Sequence, residues 1–371
     1  MAQTLNRGMG GFATAIYPLH QELNLAGHQS DLFGLDAGRS DLEQFARVHS
    51  FAPHFLPRLY YSGDYALRAG QFAREADSIH VHGLWVYPNL LAGSLARKHR
   101  KPLVIHPHGM LEPWALRHSR LKKQIARTLF ENRNFRQAAL WRALTHTEKS
   151  QIEAICPGAR VAVIPNGVYA DEFSKAAPPL TLTERHPELF NKKWLLFMSR
   201  IHRKKGLDIL IGSWSKLHRN HPGWQLVIAG ADDGYEPVLR QLIDFHDLQS
   251  RVTLTGLVTG QERLALLKNA QMFVLPSYSE GFSMAILEAL ASGLPVLASR
   301  NCNFPELAEN GAGFLIEPQE TELTANLGEL LGCPEYYLDE MGKKGLELVR
   351  SRYDWGRVAE QFACAVGEIH S

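Results

Sequence analysis

Met272-Phe-Val-Leu275, then Ser279-Glu280-Gly281-Phe282-Ser283, then Met284-Ala-Ile-Leu287-Glu288 is the stretch that decides the fold. It reads as an apolar strand, a glycine-containing loop and the opening of a helix. The unsatisfied N–H groups at such a helix start, with the helix dipole, form an anion site. In open parallel α/β sheets, ligands bind outside the C-terminal ends of the strands. Glu280 on the loop and Glu288 one to two turns into the helix flank that position. Without this placement, Glu280 reads as a turn residue and Glu288 as a solvated helix position.

Working outward, short β-rich runs alternate with amphipathic helical runs. Strands are expected at 194–197, 225–229, 252–255 and 295–298, with helices at 207–218, 237–245 and 262–269 between them. Upstream, strands are expected at 78–82, 103–106, 139–144 and 161–164, with helices at 89–99 and 120–137. Strand–helix alternation implies parallel sheets with right-handed crossovers. A Pro- and Thr-rich loop at 178–183 separates the two runs, so the reading is two doubly wound domains, 1–172 and 173–352, and a terminal helical segment at 353–371. The first strand is degenerate or missing. Residues 1–6 are short and polar, yet Gly10-Gly11 before the 12–25 helix looks like the turn after a first strand.

Composition bounds the function. At about 150 residues per domain, 371 residues make about two domains. Hydrophobic residues at 45% and charged residues at 21% exclude disordered, collagen-like and disulfide-scaffold chains. Cys156, Cys302, Cys333 and Cys364 form no C-x-x-C pair and suit a reducing compartment. No leader pattern opens the chain, and Glu288, Gly293 and Pro295 interrupt its longest apolar stretch, which points to a cytoplasmic protein.

The net charge of +2 hides a polarised chain. Residues 97–142 hold 12 Lys/Arg and 2 Asp/Glu, and the remainder holds 28 and 36. Leu121, Ile125, Leu129, Phe130 and Trp141 are interleaved with these cations. This pattern reads either as an anionic-membrane surface or as a solvated helix face with its apolar side in the core. No nucleic-acid fold signature accompanies it, so nucleic acid is not an expected partner.

The loop Ser199-Arg200-Ile-His-Arg-Lys-Lys205-Gly206 also lies between a strand and a helix. Arg supplies a forked donor and Lys a point charge, which together suit a diphosphate; the plain alternative is an exposed basic loop. His80-x-His82 and His106-Pro-His108 each place two imidazoles on one strand face. No carboxylate or cysteine with ligand spacing accompanies them, so no metal is expected there. Walker A, G-x-S-x-G and G-x-G-x-x-G motifs are missing, which disfavours P-loop, α/β-hydrolase and NAD enzymes.

In order, Gly10-Gly11, His108-Gly-Met-Leu-Glu-Pro-Trp114, Ile164-Pro-Asn-Gly-Val168, the Arg200/Lys205 loop and Glu280-x7-Glu288 resemble the retaining glycosyltransferases of family 4 (glycosyl transferases group 1) over nearly the whole chain. The resemblance implies the α/β GT-B fold: two Rossmann-like domains facing across a cleft, with the last helix crossing back to the N-terminal domain. It implies a nucleotide-diphosphate sugar donor held mainly by the C-terminal domain. Arg200 and Lys205 would then take the diphosphate, Glu288 the ribose, and the backbone of Gly281, Phe282, Ser283 and Met284 the phosphates and sugar. Glu280 and His108 would be the catalytic pair at the donor sugar. Gly11 would approach the phosphate or acceptor, and Leu257 would line the base pocket.

The expected reaction is retaining, metal-independent hexosyl transfer to a saccharide or lipid-linked acceptor. It would belong to polysaccharide, glycolipid or lipopolysaccharide assembly, in the cytoplasm or peripherally at the inner membrane. A sugar-nucleotide epimerase and a non-catalytic sugar-nucleotide-binding protein are the alternatives. Ser283 stands where many relatives carry Gly, and its hydroxyl is expected to add a phosphate contact.

Overall fold

The computed structural model describes residues 1–2, 11–35, 46–52, 61–117, 119–175 and 180–370, with backbone alone at 11–14, 180 and 181. The chain divides into two compact units, Met1–Gly167 with Trp355–Ser371, and Val168–Asp354.

In the first unit, strands Ile79–His82, Leu103–His106, Ala138–Ala143 and Val161–Val163 form a parallel sheet in that order. Leu32–Leu35 pairs in parallel with Val48–Phe51. Met1 and Ala2 join the two sheets. The Ala2 N–H donates to the Phe33 carbonyl at 2.8 Å, and the His82 N–H donates to the Met1 carbonyl at 2.9 Å. Two residues thus stand at the central position, where the sequence offers no convincing strand. The glycines expected to follow are only partly described: Gly10 lies outside the described residues, and Gly11 opens the helix Gly11–Leu25 with its surroundings outside them. That helix packs against the terminal helix Trp355–Gly367 within this unit.

The second unit holds a six-stranded parallel sheet. Its order is Gly313–Ile316, Val296–Ser299, Met272–Leu275, Lys193–Met198, Trp224–Ala229, Val252–Gly256. Its central strands are buried on both faces, which explains their near-continuous apolar sequences. From Lys193–Met198 the chain runs outward to one edge, then returns to Met272–Leu275 and runs to the other. The topological switch point therefore lies between these two adjacent strands, and the loops after them carry Lys205 and Glu280.

The expected helix at 120–137 is present with one irregularity. Arg120–Ala126 and Asn132–Gln137 are α-helical, and Arg127–Glu131 between them is a π-turn. Insertions of this kind re-aim side chains, and here Glu131 is turned inward. Its carboxylate accepts the Trp85 N–H at 2.7 Å and the Asn134 side-chain amide at 3.3 Å. On this helical segment Leu121, Ile125 and Leu129 stay out of the core, at 70%, 52% and 74% exposed, whereas Trp141 on the following strand is fully buried.

Candidate active site

At the switch point of the second unit the two loops are locked together. Gly206 has φ +69°, and a Cβ there would lie 2.1 Å from the Pro276 carbonyl oxygen, so only glycine permits this approach. The Tyr278 N–H donates to the Lys204 carbonyl at 2.8 Å, and the Tyr278 hydroxyl donates to Asp208 at 2.9 Å. These contacts bring the Lys205 ammonium onto the Glu280 carboxylate as a direct ion pair, each side chain only 8% exposed.

Ser277 adds a hydroxyl donor to the same Glu280 oxygen at 2.8 Å. The Glu280 backbone is fixed on both sides: its N–H donates to the Asn301 carbonyl at 3.0 Å, and the Asn303 amide donates to its carbonyl at 2.5 Å. Burial pushes the Glu280 carboxyl up. Lys205, then Lys204, and the Lys205 and Ser277 hydrogen bonds outweigh it, so the net shift is downward and the group is ionised. Lys205 and Glu280, read separately from sequence, are thus partners; Ser277, Asn301 and Asn303 carry no motif and were not legible.

Beside this pair the helix Met284–Ala291 begins. Ser283 is its N-cap, with the hydroxyl oxygen accepting the Ile286 N–H at 3.4 Å. The hydroxyl expected to meet a phosphate is thus engaged with its own helix. Phe282 and Met284 pack against the core of the unit, and Gly281 links Glu280 to them. Glu288 pairs with Arg263 at 2.6 Å, and Arg263 lies over the Phe173 ring at 5.5 Å. Burial raises the Glu288 carboxyl above its ordinary value, against the pull of Arg263.

Arg200 is exposed and pairs with Asp233 at 2.6 Å on the neighbouring loop. Leu257, 67% exposed, follows the edge strand Val252–Gly256. The Gly230 N–H donates to the Gly256 carbonyl at 2.8 Å, and a Cβ at Gly230 would lie 1.8 Å from the Ser199 carbonyl oxygen, so Leu257 lies one strand across from the loop that carries Arg200 and Lys205.

His108 belongs to the first unit, past the end of Leu103–His106. It has φ +54° and Gly109 has φ +77°, while the Met110 N–H returns to the Pro107 carbonyl at 3.2 Å. Two consecutive positive φ values define the primed turn type, which disfavours a residue bearing a Cβ at its first central position. The Glu148 carboxylate accepts the Gly109 N–H at 2.6 Å and the Leu144 N–H at 2.7 Å. The His108 Nε2 lies 3.0 Å from the His82 Nδ1. Burial, then the positive charge of Arg142, lower the His108 imidazole to about 3, so it is neutral at physiological pH.

The H-x-H pairs converge as a stack. His82 and His106 lie 4.1 Å apart between centroids at 28°, and His82 and His108 lie 5.3 Å apart at 29°. The ligand nitrogens of His82, His106 and His108 fall within 4.8 Å of one another. Burial and the positive charge of the Arg142 guanidinium keep all three imidazoles neutral, and His82 and His108 share a hydrogen bond.

Two parallel doubly wound sheets, with a buried Lys–Glu pair at one switch point and a rigid histidine turn at a strand end in the other, define a GT-B type α/β architecture. Family models match both units: Glycosyltransferase Family 4 over residues 9–172 and Glycosyl transferases group 1 over residues 182–346. The chain belongs to the family 4, group 1 glycosyltransferases.

It is 28% identical over 303 residues to a GDP-mannose:cellobiosyl-diphosphopolyprenol alpha-mannosyltransferase of Xanthomonas campestris, covering 79% of this chain and 76% of that protein. The Komagataeibacter xylinus protein of the same description is 27% identical over 360 residues, covering 92% and 86%. Among solved structures, Anabaena HepE in complex with UDP and glucose superposes with TM-score 0.78 at 22% identity, covering 99% of this chain and 98% of that one. The lipopolysaccharide glycosyltransferase WaaG superposes with TM-score 0.69 at 17% identity, covering 95% of each. The chain is thus a glycosyltransferase in fold and family.

Proposed function

We propose that this protein transfers a hexose, with retention of anomeric configuration and without a metal ion, from a nucleoside-diphosphate sugar to a saccharide or lipid-linked acceptor in surface polysaccharide or glycolipid assembly. The observation that carries this reading is the Lys205–Glu280 pair at the switch point, beside the start of the helix Met284–Ala291. A nucleoside diphosphate departs as an anion. Arg200, Lys205 and the helix N-terminus supply fixed positive charge for the negative charge that develops.

In this reading the backbone of residues 281–284 meets the phosphates and sugar, Glu288 the ribose hydroxyls, Leu257 the base side, and Gly11 the phosphate or acceptor. Glu280 and the neutral His108 act on the donor sugar. The departing phosphate oxygen takes the acceptor's proton on the face it leaves, which retains the configuration. The mannosyltransferase relatives make GDP-mannose the first donor to try and a diphosphopolyprenol-linked saccharide the first acceptor.

Residues 97–142 are proposed to lie on an anionic membrane from the cytoplasmic side. Leu121, Ile125 and Leu129 stand exposed among their cations, and each nearby cation contributes about 1 kcal/mol of attraction to such a surface. No helix among the described residues is long and apolar enough to cross a membrane.

The test is transfer from GDP-mannose, UDP-glucose and UDP-N-acetylglucosamine with excess EDTA present, followed by proton NMR of the product. An α-linked product from an α-linked donor supports the reading. A β-linked product, or activity abolished by EDTA and restored by Mg²⁺, contradicts the retaining or metal-independent part.

A further inference from the structure

The His108 turn needs an external clamp. His108 occupies left-handed backbone, which costs a residue with a Cβ about 1–2 kcal/mol. Within its own segment the turn is closed by the Met110 N–H to Pro107 carbonyl bond, followed by the Glu112 N–H to Gly109 carbonyl bond, each 3.2 Å. A charged group that also holds it comes from another element, the helix His146–Ile155. Thr145 caps this helix by accepting the Glu148 N–H at 3.1 Å, and Thr145-x-x-Glu148 has the spacing of a capping box. In a capping box the Glu turns back to the N–H of the capping residue. Here it does not. One Glu148 oxygen takes the Leu144 N–H, one residue earlier, and the other crosses to the Gly109 N–H. The carboxylate is buried, at 3% exposure, and bridges the end of the strand Ala138–Ala143 to the turn after Leu103–His106. Charged hydrogen bonds of this length are the strong ones.

We propose that Glu148 is a positioning residue for the transfer reaction: its carboxylate fixes the His108–Gly109 turn, and through it the imidazole. This rests on the reading of His108 as the residue acting on the donor sugar. Glu148 touches no reacting atom. The geometry requires two acceptor oxygens on one side chain, because two N–H groups point at it. An amide offers one acceptor and one donor, so Glu148→Gln places a donor against one of the two N–H groups. Glu148→Asp keeps the charge and the helix start, and is one carbon too short to span both contacts. A displacement of about 1 Å in a catalytic group costs on the order of 100-fold in rate.

The test is a double-mutant cycle on the full-length protein, using whichever of GDP-mannose, UDP-glucose and UDP-N-acetylglucosamine turns over. Glu148→Gln, Glu148→Asp, His108→Ala and the Glu148→Gln/His108→Ala pair are compared for kcat, KM and the dissociation constant of the nucleoside diphosphate. The expected result is a fall in kcat of roughly 10–100-fold for each single variant, with nucleoside diphosphate affinity unchanged. The pair is expected to be no slower than His108→Ala alone, because Glu148 acts only through that imidazole. A Glu148 effect that multiplies with the His108 effect overturns the proposal. So does full kcat in both Glu148 variants. If Glu148→Gln fails to fold, Glu148→Asp carries the same test. A His108→Ala variant with unchanged kcat refutes the reading of His108 instead, as does turnover of none of the three donors, and the proposal falls with it.

Discussion

Replacing Lys205 with Met removes the ammonium from a buried pair and leaves the Glu280 carboxylate with Ser277 as its remaining side-chain donor. Both partners are 8% exposed, so solvent cannot replace the lost charge. Breaking one side of such a pair costs about 3–5 kcal/mol. For a unit of this size each kcal/mol moves the midpoint by about 2–4 °C, so the second unit should melt roughly 6–20 °C lower at pH 8.

The pH dependence identifies the cause. In the native protein Glu280 is held below its ordinary carboxylate value, so it stabilises the fold above that value and ceases to do so as pH falls through its folded pKa. Without Lys205, burial dominates and the carboxyl rises. The variant then gains relative stability as pH falls, because the buried group is neutralised. Calorimetry at pH 8 and pH 5 should show the gap between the two proteins narrowing at the lower pH. Lys205→Met/Glu280→Leu, which removes both charges, should recover to within about 1.5 kcal/mol of the native protein. A loss that is independent of pH and persists in the double variant refutes the reasoning.

Three further outcomes follow from the same geometry. Gly206→Ala forces a Cβ against the Pro276 carbonyl at positive φ and should cost about 1–3 kcal/mol in chemical denaturation; unchanged stability contradicts the locked-loop description. Burial holds His80 down at about 3 and keeps His82 and His106 well below 6.5. The unfolded chain therefore binds more protons below 6.5, and the first unit should lose about 1.6 kcal/mol between pH 6.5 and 5 through His80, with His82 and His106 acting in the same direction. A urea midpoint unchanged over that range contradicts this. Leu121→Ser/Leu129→Ser removes two exposed side chains and should leave stability within about 0.5 kcal/mol while reducing co-sedimentation with anionic vesicles at low salt. Undiminished sedimentation removes these leucines from the proposed membrane face.

Much of this was legible in the sequence where one physical signal dominates. Met272–Leu275 and the start of Met284–Ala291 fall where expected because an apolar run meets a glycine loop and a serine cap. In Leu32–Leu35, Val48–Phe51 and Gly313–Ile316 the apolar run is broken by Gly34, by His49 and Ser50, and by Gly313, so the strand signal is weak and the sheet register defines them instead. The row Leu121, Ile125, Leu129 reads equally as core or surface in sequence; in the structure all three are exposed, while Glu131 in the adjoining π-turn is buried. Lys205 and Glu280 were each visible as loop residues, but 75 positions separate them, and only the adjacency of their strands makes them partners. Glu148 sat inside a recognisable capping box, and nothing in its spacing tells that the carboxylate reaches Gly109.

The central claim is that a nucleoside diphosphate binds at the switch point of the second unit through Arg200, Lys205 and the helix after Ser283. Titration calorimetry with GDP, UDP and ADP, comparing the native protein with Arg200→Ala, tests it most directly, because Arg200 is exposed and its loss leaves the buried pair intact. Removing one charged hydrogen-bonding contact should weaken the best of these ligands by about 1.5–3 kcal/mol, roughly 10- to 150-fold. Binding of none of the three, or equal affinity in both proteins, contradicts the account.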